Sequence, residues 1–494
     1  MSGAGRQLTG WDAATWRTSA GSPHLRSTVV ALVLLDSTPD WERLRQRVER
    51  LTRMVPVLRQ RPLRGVFGVA SPRLAVDPDF DLGLHLRRMR LAGEGSWSEL
   101  LTEARRISLT DFDRDRPLWE LVLVEGLEGG RAALLLKLHH AIADGQATVL
   151  IGLNLVELGT TPNADEADAP EAPEAVVAGA PEVSLADIVD NLRRGIGAAE
   201  RVGEAMVALA RGTLTDPVNT WTSVLGTLAS VGRFTALPDG PLSPLMTERG
   251  TTYHFAAFDL PFASLRSAAK ARDCSVNDAF MAAVGLGLER YHVRRGSVAD
   301  DLRFNVPISL RGDAGDTSAQ ASNAVTIARI ALPVAGLTVD ERMHAAHEAV
   351  ARWRDEPALR FADPLAEISW LVPVPVPAPA RAALASDVTT SNVPGPPLPL
   401  FIAGARIAGV YPLVATIGAA VNVTMVTYDG SAFVGISADD RAVPDLADLV
   451  ADMRSGFATV AEGPVGPADP LTEGEPGDGT PKARAIREAD LQEQ

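Results

Sequence analysis

The chain has 494 residues, 46% hydrophobic and 22% charged, a composition that excludes a wholly disordered or fibrous protein and leaves room for two to four domains. Cys274 is the sole cysteine, which excludes a disulfide framework and a multi-cysteine metal centre. The net charge of −15 is concentrated in residues 160–184, with six acids and no base, and residues 462–494, with eight acids against three bases, so nothing points to a nucleic-acid partner.

The N-terminus lacks the apolar stretch of a secretory signal, and no run of about 18 apolar residues suggests a transmembrane helix. The expected location is the cytoplasm. Residues 28–35 (TVVALVLL) predict a buried strand. Residues 40–58 predict a helix, with Leu44, Val48, Leu51, Met54 and Val55 at three- and four-residue spacing. Residues 119–125 and 131–138 predict two strands that pair as a hairpin, and 145–158 a helix.

Residues 160–184 are rich in Ala, Pro and acid and predict a flexible linker, because they hold too few large apolar groups to offset their ordering entropy. A long amphipathic helix follows at 185–211, with Ser184 at its N-cap and Ile188, Leu192 and Ile196 on its apolar stripe. Its mixed-charge polar face favours packing on the body over lying in a lipid surface. Helices are then expected at 263–272 and 277–292 and strands at 302–308 and 323–331. Residues 421–428 and 431–437 flank Asp429-Gly430, a two-residue hairpin signal. Residues 462–494 read as a disordered acidic tail. The expected domains are 1–159, the linker 160–184, a helical connection 185–249, a second half 250–461 and the tail 462–494, in an α/β (α+β) architecture.

The sharpest chemical feature is LLKLHHAIADGQA, residues 135–147. Paired histidines at a strand end can place one imidazole in a cleft while the other is buried. Histidine suits general-base work because it titrates near neutral pH. Gly145 permits a tight turn before the next helix. His344 and His347 lie three apart on a predicted helix with no third ligand, so no metal site is expected. Cys274 reads as a small apolar residue. Gly285 and Gly287 lack the dinucleotide-binding pattern, and GxSxG is absent.

HHAIADG resembles the HHxxxDG signature of the CoA-dependent acyltransferase superfamily, and the remainder of the chain resembles its bacterial wax ester synthase/diacylglycerol acyltransferase family. Further segments carry that resemblance in order: DPDFDLGLHLR at 77–87, the PLW triplet Pro117, Leu118 and Trp119, SVNDAF with Asn277 and Asp278, VPISLR at 306–311, SNVPGPPL at 391–398 and the hairpin at 426–440. Residues 241–250 (PLSPLMTERG) and Ser322 depart from the family pattern.

The resemblance implies two chloramphenicol-acetyltransferase-like halves with an active-site tunnel at their interface. It implies that His140 takes the proton of an acceptor hydroxyl, which attacks an acyl-CoA thioester directly, with His139 beside it. Asp144 is implied as a structural partner of the loop, together with Gly145, and Asn277 and Asp278 would lie across the cleft. The implied substrates are acyl-CoA and a long-chain alcohol or diacylglycerol, giving wax ester or triacylglycerol. Acyl-CoA would be a co-substrate, with no further cofactor and no metal, and contact with a membrane or lipid droplet would be peripheral. Two alternatives remain at this point: condensation-type transfer to a hydroxyl or amine of a specialised metabolite, and a non-catalytic lipid-surface protein.

Overall fold

A computed structural model describes residues 8, 10–63, 73–142, 145–161, 239–309, 325–354, 377–467 and 469–471. The expected linker beyond Thr161 and the helix at 185–211 lie outside the described residues.

The first half opens with α1 (Gly10–Gly21), β1 (Thr28–Leu35) and α2 (Trp41–Met54). The Asp40 carboxylate caps α2 by accepting from Arg43 N at 2.8 Å, and Leu44, Val48 and Leu51 are buried on its inner stripe. The helix stops short of the expected residue 58: Met54 is its exposed last residue, and Pro56 turns the chain into a single 3₁₀ turn. A small ribbon of β2 (Gln60–Leu63) and β3 (Arg73–Val76) leads to α3 (Leu82–His85), β4 (Leu86–Arg90) and α4 (Trp97–Leu109). Ser96 and Glu99 close a capping box at the start of α4. The expected hairpin is present as β5 (Trp119–Glu125) and β6 (Ala132–His139), antiparallel, followed by α5 (Gly145–Leu155).

The second half comprises β7 (Tyr253–Pro261), α6 (Phe262–Lys270), α7 (Val276–Arg294), β8 (Asp301–Ser309), β9 (Val325–Pro333), α8 (Val339–Arg354), α9 (Pro377–Leu384), β10 (Val388–Val393), β11 (Phe401–Ile402), β12 (Ala405–Val414), β13 (Val421–Tyr428), β14 (Ser431–Asp439) and α10 (Leu446–Ala461). Asp429 and Gly430 both take positive φ, 44° and 83°, which matches the right-handed twist of the β13–β14 hairpin. Where α7 crosses α10, a Cβ on Gly456 would lie 2.7 Å from Ala283 O and 2.8 Å from Gly287 N. The glycines of α7 that fit no nucleotide-binding pattern therefore permit close helix packing.

These strands form two mixed six-stranded sheets, in the orders β11-β12-β1-β6-β5-β4 and β7-β14-β13-β10-β8-β9. The division at residue 250 is not clean. β11 and β12, from the second half of the sequence, cross over and complete the first sheet, with β12 antiparallel to β1 from Val29↔Val414 to Val33↔Val410. The crossover covers the β1 edge that β6 leaves unpaired. α4 adds a second tie: Arg105 donates to Tyr253 O at 2.6 Å and pairs with Asp440 at 3.0 Å.

Residues 462–467 and 469–471, within the expected tail, pack on the body. Gly466 N donates to Asp259 O at 2.6 Å, Arg131 donates to Pro470 O at 3.0 Å, and Leu471 is 2% exposed within the core of the first half. One apolar side chain and a few backbone bonds are enough to dock this stretch although it is rich in Pro, Gly and acid.

Candidate active site

A cavity of about 400 Å³ lies between the two sheets, with His140 in its wall. Strand parity decides which side chains reach it. On β1, Val30, Leu32 and Leu34 pack into the outer core, while Val29, Ala31 and Val33 face the cavity. On β6, Leu134 and Leu136 face it, and His140, of the same parity and one residue past the strand, continues that row. His140 N donates to Ser27 O at 2.8 Å, which holds the end of the row against β1.

His139 has the opposite parity and points away from the cavity. It is 4% exposed, with the rings of Trp16 and Phe112 edge-on to its imidazole at 5.5 and 5.7 Å. Its Nδ1 accepts from Ala141 N at 3.1 Å, so Nε2 carries the proton and donates to Ser19 Oγ at 3.1 Å. Burial pushes its pKa down to about 3, aided by the positive charge of Arg114 and by His140 and Lys137. His139 is therefore a neutral residue locked into the turn that carries His140. Helix α1, which sequence patterning did not reveal, supplies both Trp16 and Ser19.

Lys137 shares that outer face. It is fully buried, with Nζ 2.8 Å from Thr110 O, 2.9 Å from Glu120 Oε1 and 4.2 Å above the Phe112 ring. Desolvation lowers its pKa, and Glu120 opposes the shift. The PLW triplet is core. Pro117, Leu118 and Trp119 are buried, and Trp119 Nε1 donates to Leu58 O at 2.7 Å. His85, from the 77–87 segment, stacks on Trp119 at 4.8 Å and on Phe80 at 5.3 Å. Two segments of the resemblance thus meet in one stack behind β5, away from the cavity.

Asn277 and Asp278, expected across the cleft from His140, are not among the described residues lining the cavity. Asp278 forms the capping box of α7 with Ser275 and accepts from His347 Nδ1 at 2.9 Å, while Asn277 lies against Met281 Sδ at 3.5 Å. The motif organises a helix N-terminus, as the capping-box spacing of Ser275 and Asp278 allows. Gly145 is the first residue of α5, and Asp144 lies outside the described residues.

What sequence reasoning left out is the opposite wall. Ser391, Asn392, Gly395 and Pro396 of the SNVPGP segment line the cavity, as do Asn305, Thr389, Asn422 and Thr424. The available signal was a run of polar residues, Thr389 to Asn392, in the short strand β10, and Asn422 and Thr424 at alternate positions of the mostly apolar β13. Among the described residues lining the cavity, His140 is the sole imidazole, and none is a carboxylate, amine, guanidinium or thiol.

Comparison with known proteins gives this arrangement its family. Residues 8–280 match the wax ester synthase/diacylglycerol acyltransferase catalytic domain, and residues 321–460 match the WS/DGAT C-terminal domain. A Mycobacterium tuberculosis protein that carries the name of a diacylglycerol O-acyltransferase is 33% identical over 459 residues, covering 90% of each chain. A second protein so named from that organism is 27% identical over 470 residues, 91% of this chain and 95% of its own. Among solved structures, the wax ester synthase/diacylglycerol acyltransferase from Marinobacter aquaeolei VT8 superposes with a TM-score of 0.58 at 22% identity, over 92% of this chain and 98% of that one. The first condensation domain of the calcium-dependent antibiotic synthetase shares the fold, with a TM-score of 0.59 at 19% identity over 94% and 96% of the two chains. The two facing sheets, the cavity between them and the matches along nearly the whole chain assign it to the wax ester synthase/diacylglycerol acyltransferase family, whose members are acyltransferases of wax ester and triacylglycerol synthesis.

Proposed function

We propose that the chain transfers the acyl group of an acyl-CoA to a lipid hydroxyl inside this cavity, with His140 as the general base. The observation that carries the reading is the cavity wall itself: its described residues present one imidazole and no other group that titrates near neutral pH. His140 takes the proton of the acceptor hydroxyl as the oxygen attacks the thioester carbonyl carbon. The tetrahedral intermediate then collapses, the C–S bond breaks, and the imidazolium returns the proton to the departing CoA thiolate. Acyl-CoA is a co-substrate, and the chemistry calls for no resident cofactor. Ser391 makes no hydrogen bond to a base among the described residues, so no activated nucleophile is set up and direct transfer is the simpler reading. His139 is assigned to holding the turn that carries His140, and Asp144 and Gly145 keep the supporting role that the resemblance implies.

The acceptors of this reading partition into membranes or lipid droplets. No helix among the described residues is long and apolar enough to cross a membrane, so we place the protein peripherally at such a surface. Flotation with diacylglycerol-containing liposomes reads this out, and a protein that stays wholly at the bottom of the gradient overturns it.

The test of the chemistry uses purified protein, palmitoyl-CoA, and either hexadecanol or dioleoylglycerol, with release of free CoA as the signal. Substituting His140→Ala lowers turnover by the roughly 10²–10⁴-fold typical of a lost general base. A well-folded His140→Ala protein with near-normal turnover refutes the assignment. Activity with amine acceptors alone would transfer the reading to condensation-type chemistry.

A further inference from the structure

The two walls of the cavity differ in kind. The first sheet presents Val29, Ala31, Val33, Leu134 and Leu136. The second presents side-chain amides and hydroxyls, and strand register sets them in rows. Thr389 stands opposite Asn305 on β8 and Asn422 on β13, and Ser391 stands opposite Thr424. One step further along, Val393 pairs with Val426 and the wall becomes apolar.

Hydrogen bonds fix which end of the cavity holds the polar rows. His140 N binds Ser27 O; the adjacent Thr28 O accepts from Ala415 N at 3.0 Å; and Ala415 O accepts from Asn422 Nδ2 at 3.4 Å. The polar rows are therefore at the His140 end. At the other end, the Tyr428 hydroxyl donates to Ile407 O at 3.3 Å and accepts from Leu400 N at 2.8 Å, beside Val33 and Val410. Asn422 and Tyr428 lie six positions apart on β13, a span of about 20 Å at the rise of a strand, with the polar rows at its start and Val426 beyond them.

We propose that the polar rows select the acceptor: Asn305, Thr389, Ser391 and Asn422 hydrogen-bond the ester and hydroxyl oxygens of a glycerolipid and so favour diacylglycerol over a long-chain primary alcohol. The proposal rests on the reading that acyl transfer takes place beside His140. A primary alcohol brings one oxygen, which His140 engages. The other donors of the polar wall would then exchange water for hydrocarbon with nothing in return. Diacylglycerol adds two ester groups, whose carbonyl oxygens accept. Ser391 and Thr389 are the strongest members of the set. The Ser391 hydroxyl has no hydrogen-bond partner among the described residues, and Thr389 Oγ1 accepts from Asn305 Nδ2 at 3.4 Å, which leaves its own proton for a ligand. Asn305 and Asn422 are held in place from within, by Ser386 Oγ at 3.1 Å and Thr424 Oγ1 at 2.8 Å.

The experiment compares kcat/KM for dioleoylglycerol with kcat/KM for hexadecanol, at fixed palmitoyl-CoA and in the same detergent micelles. It uses the full chain, Ser391→Ala, Thr389→Val and His140→Ala. The wild type favours dioleoylglycerol. Each belt variant lowers the diacylglycerol-to-alcohol ratio by a factor in the roughly 5–150-fold range of one lost, desolvated hydrogen bond. A ratio unchanged in both belt variants, with His140→Ala inactive, overturns the proposal and leaves the base assignment standing. Equal losses for both acceptors with a raised KM for palmitoyl-CoA also overturn it, because the belt would then serve the acyl donor. An active His140→Ala protein overturns both readings.

Discussion

Acidification tests the lock on the histidine pair. The His139 pKa is pushed down to about 3 in the folded protein, chiefly by burial, whereas an exposed histidine titrates near 6.5. Above pH 6.5 the residue is neutral in both states and costs nothing. As pH falls below 6.5, the unfolded chain takes up a proton that the folded chain refuses, so stability is lost progressively until about pH 3. A gap of about 3.5 units at 1.36 kcal/mol each gives roughly 5 kcal/mol over the whole window, about 2 kcal/mol of it between pH 6.5 and 5. His139→Phe keeps a ring between Trp16 and Phe112 but removes the titration. It also leaves Ser19 and Ala141 N without their partner, at a cost of about 1–3 kcal/mol at neutral pH. Urea unfolding followed by tryptophan fluorescence at pH 7.5, 6.5, 5.5 and 5.0 should show the variant less stable at pH 7.5 and the difference closing as pH falls. His85 and His292, also buried with lowered pKa, titrate alike in both proteins and cancel in the difference. Parallel pH profiles would show that His139 carries a proton in the folded state, and the neutral lock would be wrong.

Two further outcomes follow from packing. Gly456→Val sets a side chain where even a Cβ meets Ala283 O at 2.7 Å, so α7 and α10 must separate; a melting temperature equal to wild type would contradict that contact. Truncation after Leu471 should leave the melting temperature nearly unchanged, whereas truncation after Ala461 should lower it, since burying Leu471 alone stabilises by roughly 1.5–3 kcal/mol; equal melting temperatures for the two truncations would show that the docked stretch contributes nothing.

The elements legible in the sequence are those whose signal is local. β1, β5, β6, β13 and β14 have apolar runs or turn residues of their own, and each lies within a residue or two of its expected place. The β11–β12 crossover was not legible. Residues 405–414 alternate in burial as a strand should, but alternation carries no information about a partner, and β1 lies more than 370 residues earlier in the chain. Helix α1 escaped because its sequence, GWDAATWRTSAG, has no clear apolar stripe; its value is the placement of Trp16 and Ser19 on His139. The cavity was half legible. His140 could be read from the strand-end pair, but the polar wall opposite is assembled from three strands, and only their register brings Asn305, Thr389 and Asn422 into one row.

The histidine pair then has a physical reading that neither residue has alone. Adjacent residues at a strand end face opposite ways, so a pair puts one ring in the cavity and one in the core. A base must become an imidazolium during turnover, and a second imidazolium next to it would raise the energy of that state. His139 removes this penalty, because burial and the bond from Ala141 N keep it neutral down to about pH 3. The acid limb of the pH profile for kcat/KM should therefore contain one ionisation, that of His140 in the free enzyme, and fall with unit slope. The measurement is initial rate against pH from 4.5 to 8 at low dioleoylglycerol and fixed palmitoyl-CoA, restricted to the range in which the protein remains folded. A slope of two on the acid side would mean that both histidines titrate together in the folded enzyme, and the division of labour between them would fail.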